Sequence, residues 1–118
     1  MKKLAVITLA LLAAVSPTFA EDVILKTNSS RVEVYRPNGG FIRSISASNL
    51  LDARSNGNVI VILKGDGRVE VYNMNGAFIR SISASGASRI DVTANEIAVT
   101  RNGRVEVYNM NGAFIRSI

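Results

Sequence analysis

Apolar and polar residues alternate through Val32-Glu33-Val34-Tyr35, and the same letters return at Val69-Glu70-Val71-Tyr72 and Val105-Glu106-Val107-Tyr108. A period of two in β-branched and aromatic residues predicts a strand with two distinct faces. Each run leads into a turn, Arg36–Gly40, Asn73–Ala77 or Asn109–Ala113, and then into Phe-Ile-Arg-Ser-Ile. The Asn-Gly pair inside each turn predicts a hairpin, because both residues tolerate positive φ. Residues 67–82 recur letter for letter as residues 103–118, and residues 31–45 are an altered copy. The copies start at Arg31, Arg68 and Arg104, a period of 37 and then 36 residues. Repeats of this length are supersecondary units that cannot bury their apolar faces alone.

A five-residue loop sets a register. It predicts Tyr35 opposite Phe41, Tyr72 opposite Phe78 and Tyr108 opposite Phe114. It also predicts Glu33 opposite Arg43, Glu70 opposite Arg80 and Glu106 opposite Arg116. Each hairpin would then carry an aromatic pair and an acid–base pair on one face, each worth roughly 0.2–1 kcal/mol. Val69, Val71, Ile79 and Ser81 would share the other face. Upstream lie further strands at Val23–Thr27, Val59–Leu63 and Glu96–Thr100, with turns at Gly65-Asp66-Gly67 and Asn102-Gly103. Asp66 accounts for the longer first period. Shorter strands are expected at Leu50–Ala53 and Arg89–Thr93. Four antiparallel strands per repeat, joined by tight turns, outline a β-propeller blade. No helical period and no domain linker appears in residues 21–118, which read as one all-β repeat domain with hairpins at 31–46, 68–83 and 104–118.

The stretch Ile97-Ala98-Val99-Thr100, then Arg104-Val-Glu-Val-Tyr108, then Gly112-Ala-Phe-Ile115 resembles an NHL-type propeller repeat. That family usually has a Pro-x-Gly turn before the inner strand and an Asp after the second strand. Here those places hold Ala87-Ser88-Arg89 and Arg101. The resemblance covers most of Val23–Ile118 and implies propeller architecture rather than an activity.

Propellers close with 4–8 blades, and three repeats make an incomplete ring. Three arrangements meet that shortfall. The chain dimerises into a six-bladed ring, it is a piece of a longer repeat protein, or it forms an open β stack that caps itself. Val59-Ile-Val-Ile-Leu63, apolar at every position, is the segment expected to aggregate if its faces stay bare.

Residues 1–20 carry Lys2-Lys3, an apolar run Leu4–Val15 broken only by Thr8, and Thr18-Phe19-Ala20. These are the three parts of a secretory signal peptide cut after Ala20, and twelve residues are too few to span a bilayer, which needs about 20. The expectation is a periplasmic or secreted protein that does not associate with membrane after cleavage. Without Lys2 and Lys3, 12 basic residues stand against 9 acidic ones and the net charge falls from +5 to +3. That excess is too mild to indicate nucleic acid. There is no cysteine, so core packing, strand ladders or association must hold a modest core together.

The chain also lacks histidine and tryptophan. That removes His-based acid–base catalysis, Cys nucleophiles, Ser-His triads and the usual nitrogen and sulfur metal ligands. The many serines read as strand-end and turn residues. Asp52 and Asp91 fall on the innermost strands, where they are solvated channel residues or, across a dimer, oxygen ligands for Ca²⁺; the first is the expectation, and no cofactor or metal is assigned. Arg31, Arg68 and Arg104 would suit phosphate, but a Glu two residues away in each copy points to structural pairing. The function expected is therefore non-enzymatic: an exported β-repeat scaffold for protein binding or self-assembly, or a truncated propeller. Its partners would be a second copy, a dimer being favoured, or another protein, and not nucleic acid. The alternative is a lectin-like carbohydrate binder assembled from few-blade protomers, which with no Trp would have to stack sugars on Tyr or Phe. The binding surface expected is one rim of hairpin turns: Asn38, Asn73, Met74, Asn75, Asn109, Met110 and Asn111, with the methionines as adaptable apolar contacts.

Overall fold

The computed structural model describes residues 22–118; the expected signal peptide at residues 1–20 lies outside them. Eleven strands follow in chain order: β1 Ile24–Asn28, β2 Arg31–Tyr35, β3 Phe41–Ser46, β4 Leu50–Ser55, β5 Val59–Lys64, β6 Arg68–Asn73, β7 Phe78–Ser83, β8 Ala87–Val92, β9 Glu96–Arg101, β10 Arg104–Asn109 and β11 Phe114–Ser117. They form three antiparallel sheets, β1-β2-β3, β4-β5-β6-β7 and β8-β9-β10-β11, each a simple meander. These are the blades the repeat predicts, blades 1, 2 and 3 in chain order. Blade 1 has three strands among the described residues and begins at the strand equivalent to β5.

The turns follow the local chemistry. Asn102 and Gly103 both take positive φ, 52° and 79°, as a two-residue hairpin between Arg101 and Arg104 requires. In the outer hairpins only glycine does so: Gly39, Gly76 and Gly112 lie at 96°, 85° and 86°. Asn38, Asn75 and Asn111 therefore do not share the positive φ expected of the Asn-Gly pair. Gly76 N–H donates to Asn73 O at 3.0 Å and Asn73 N–H to Ala77 O at 2.9 Å, a three-residue loop ending in left-handed glycine. At Gly65-Asp66-Gly67 the extra residue is absorbed the same way, with Gly67 at φ 91°.

The register confirms one expected pair and overturns the other. Tyr35, Tyr72 and Tyr108 stand opposite Phe41, Phe78 and Phe114. The Glu–Arg pairs do not form. A bulge follows the aromatic pair in every blade, so Val34 faces Arg43 and Glu33 faces Ser44, with the same shift at Val71/Arg80 and Val107/Arg116. Paired residues share a face, so one extra residue moves the returning strand to the opposite face. Arg80 and Ile82, not Ile79 and Ser81, join Val69 and Val71.

The core lies between sheets rather than within one. Val32, Val34, Ile45, Ala47, Ala53, Ile60 and Ile62 fill the space between blades 1 and 2. Val61, Leu63, Val69, Val71, Ile82, Ala84, Ile90, Ile97 and Val99 fill that between blades 2 and 3. Alternate residues of β5 enter opposite layers, and Ile60 through Leu63 are all fully buried. The expected aggregation segment is thus the best covered of the described strands, because blade 2 is packed on both faces.

Gly67 shows how closely the turn between β5 and β6 meets the next connection. A Cβ there would lie 3.0 Å from Ser85 Cα, on a backbone that already disfavours L side chains. Gly67→Ala is expected to lower stability by about 1–2 kcal/mol. Gly103→Ala, where no described atom lies within 4 Å, bears only the conformational part. Urea titration of both variants checks the difference; equal losses would contradict the contact.

Candidate functional site

Period-two spacing puts Arg31, Glu33 and Tyr35 on one face of β2, and the equivalent residues on one face of β6 and β10. The bulge having removed the cross-strand arginine, each glutamate takes its partners from its own strand. Arg31 Nη2 lies 2.9 Å from Glu33 Oε2, Arg68 Nη2 2.6 Å from Glu70 Oε2 and Arg104 Nη2 3.2 Å from Glu106 Oε2. The Tyr35, Tyr72 and Tyr108 hydroxyls donate to the other carboxylate oxygen at 2.9, 2.8 and 3.2 Å. A second cation flanks the two buried glutamates: Lys64 Nζ is 3.7 Å from Glu70 and Arg101 Nε 3.4 Å from Glu106. The tyrosine rings meet their phenylalanines edge-on, with centroids 5.6–5.7 Å apart. The repeated arginines are thus occupied within their own blades, as the structural-pairing expectation had it.

This packing sets the titration of the tyrosines. Burial, then the hydrogen bond to Glu70, pushes Tyr72 up to about 12 from an ordinary 10.0. Tyr108 is raised first by burial, and Tyr35 first by its bond to Glu33. The same hydroxyl bond is the main reason the Glu33 carboxyl is lowered. A raised folded value contributes stability that is full below the unfolded value and lost as pH climbs through the folded one. Stability should therefore fall as pH rises from about 10 to about 12. A tyrosinate absorbance titration should show a last step near the upper figure that disappears in Tyr72→Phe; a single step at 10 in the folded protein would contradict the arrangement.

The arginines of the returning strands turn out to join blades, a role the sequence reading missed. Arg43 Nη1 donates to Asn75 O at 2.7 Å, in the outer turn of blade 2, and Arg80 Nη1 to Asn111 O at 2.8 Å, in that of blade 3. Beside each guanidinium an isoleucine packs on the turn glycine. A Cβ at Gly76 would touch Arg43 Cδ at 3.4 Å and Ile45 Cγ1 at 3.8 Å, and one at Gly112 would touch Arg80 Cδ and Ile82 Cγ1 at 3.4 and 3.6 Å. In blade 1 the packing of Ile42 and Ile45 shows the same shift. Residues three apart cannot reach one layer from a regular strand, yet both pack in the layer between blades 1 and 2.

Inner contacts also join the blades. Asn56 Nδ2 donates to Thr93 O at 2.9 Å, and Ile90 N–H donates to Asp52 Oδ2 at 3.3 Å. Asp52 and Asp91 pair with Arg54 and Arg89 at 3.1 and 3.0 Å. Both aspartates on the inner strands are thus engaged by guanidinium groups. No cluster of three acidic ligands occurs among the described residues.

The hairpin rim divides in two. Met74 and Met110 are half-buried and pack against the layers toward blades 1 and 2 respectively, so they wedge blades together rather than stand free at the tips. Asn73 and Asn109 build their turns, each side-chain oxygen accepting two backbone N–H groups at 2.9–3.0 Å. Asn38, Asn75 and Asn111 are exposed, and Phe41, Phe78 and Phe114 keep more than half their surface open.

The outer faces of blades 1 and 3 differ from the covered ones. Ile118 is 75% exposed, whereas its equivalents Ile45 and Ile82 are 5% and 6% exposed. Ile24 is 51% exposed where Ile60 and Ile97 are fully buried.

Neither a family model nor a curated protein matches the sequence. Among solved structures, Hsv2 of Kluyveromyces lactis is similar with a TM-score of 0.68 at 10% identity, over 84% of this chain and 34% of that one. The WD40 β-propeller domain of Doa1 is similar with a TM-score of 0.67 at 15% identity, over 93% of this chain and 38% of that one. The chain spans about a third of these structures. The likeness shows the fold: the three sheets are β-propeller blades, without a closed ring.

Proposed function

We propose that this chain is an exported, non-enzymatic β-propeller scaffold that assembles with further copies of itself and presents its hairpin rim to a protein partner. The observation that carries the reading is the exposure of Ile118 beside its buried equivalents. An apolar side chain that two repeats bury and the third leaves open marks a face built for stacking. The absence of histidine and cysteine from the sequence and the engagement of the inner-strand aspartates by arginines favour a scaffold over an enzyme. The NHL-type resemblance adds the repeat chemistry of the outer hairpin and no activity.

If assembly completes the fold, unfolding depends on protein concentration. The urea midpoint is expected to rise between 1 and 100 µM, the hundredfold change being worth about 2.7 kcal/mol per mole of dimer. An unchanged midpoint would overturn the assembly part. A lectin-like reading competes because Phe41, Phe78 and Phe114 present three half-open rings, and aromatic faces stack on sugars. A glycan array decides between them: no binding above background is expected of the scaffold. N-terminal sequencing of the exported product tests the cleavage after Ala20.

A further inference from the structure

Within the chain one seat is used twice. Arg43 and Ile45 fill it at Gly76, and Arg80 and Ile82 fill it at Gly112. The seat and its occupant each recur once more, at opposite ends of the stack. Gly39 is the third turn glycine, at φ 96°, and no described atom lies within 4 Å of the position a Cβ would take there. Arg116 and Ile118 are the third Arg–Ile pair, held in place by the same bulge. Among the described residues Arg116 reaches Glu96 of its own blade, its two terminal nitrogens donating to the two carboxylate oxygens at 3.3 and 3.1 Å, with the arginine half exposed and the glutamate a third exposed. A pair still open to water on both sides adds little stability, little enough for a new inter-copy contact to offset its loss.

We infer that these two ends are the halves of one interface: Arg116 and Ile118 of one copy dock on the Pro37-Asn38-Gly39 turn of a second copy, Arg116 donating to the Asn38 carbonyl. The inference rests on the self-assembly reading above and specifies its geometry. A contact between unlike patches is heterologous, and it closes into a ring when its rotation allows. Two copies of the three described blades, joined at both ends, give six blades, within the range in which propellers close.

The facing surfaces suit each other while being less apolar than those inside the chain. On blade 3, Ala98 and Thr100 stand where blade 2 has Val61 and Leu63, beside Val105 and Val107. On blade 1, Ile24 keeps the apolar position of Ile60, and Lys26 replaces Ile62. Lys26 lies directly across the ladder from Glu33, so the charge it brings to the face has a partner. Association between copies is therefore weaker than stacking within one, and reversible.

The absence of cysteine makes the test clean. Asn38→Cys and Ile118→Cys are prepared as separate variants, mixed, and treated with a short bismaleimide. A 38–118 product in large excess over 38–38 and 118–118 is expected. Ile45→Cys with Asn75→Cys in one chain reproduces the seat internally and must link within the chain, which establishes that the reagent spans it. Arg116→Ala is expected to raise the dissociation constant at least tenfold while the chain remains folded by circular dichroism. The mass of the untreated mixture separates the two proposals. An assembled mass without the 38–118 product, or with 118–118 predominating, leaves self-assembly standing and overturns this interface. A monomeric mass overturns both.

Discussion

Truncation of Ile62 to alanine is expected to lower the unfolding free energy by about 3–4 kcal/mol. The side chain is fully buried and lies in the layer where Val34 and Ile45 of blade 1 meet Ile60 of blade 2. Its ladder neighbours are Ala53 and Glu70. Neither can move in to fill the space, one being too small and the other held by its cations. The loss is the removed transfer energy plus that of an uncollapsed cavity. Domains of this size hold about 5–15 kcal/mol in all, so a large share of stability would go. Lys26 occupies the same ladder position in blade 1 and is exposed. Lys26→Ala should therefore stay within about 0.5 kcal/mol of the parent. Urea unfolding of both variants at one fixed protein concentration checks this; similar losses would mean that the layer between blades 1 and 2 is not packed.

Glu70→Ala should cost about 2–3 kcal/mol. The carboxylate is buried and accepts from Arg68 and Tyr72, with Lys64 close by. Removing one member of a buried ionic group strands the others, at about 3–5 kcal/mol for a fully buried pair. The figure is reduced here because Arg68 is half exposed and can turn to water. Glu33 has the same arginine and tyrosine partners but sits on an outer face, with no cation at the position of Lys64, which is Asn28 in blade 1. Glu33→Ala is expected to leave the thermal midpoint nearly unchanged. Equal shifts for the two variants would show that the triad acts within its strand and owes nothing to the neighbouring blade.

Strands, turns and the meander were legible because they are local. Val-Glu-Val-Tyr fixes a strand by its period, and Asn102-Gly103 fixes a turn by its backbone freedom. The Tyr–Phe pairs followed from loop length, since they lie before any irregularity. The Glu–Arg pairs failed one step later, because a single bulged residue reverses every face beyond it. Strict alternation could not carry that, and the Ile-x-x-Ile spacing does not settle it either, since Ile42 packs in the layer with Ile45 while Ile79 and Ile115 of the other copies are exposed. The roles of Arg43, Arg80, Met74 and Met110 depend on which blade lies opposite, and partners such as Asn75 and Asn111, 32 and 31 residues away from Arg43 and Arg80, are invisible to a local pattern. For the same reason Val59–Leu63 read as a liability: its apolar letters are plain, and the blades that cover them are not.

Stacking faces that complete one another across copies are tested most directly by the mass of the purified chain in light scattering at micromolar concentration. Head-to-tail closure gives the mass of two protomers. A single monomeric mass would contradict it.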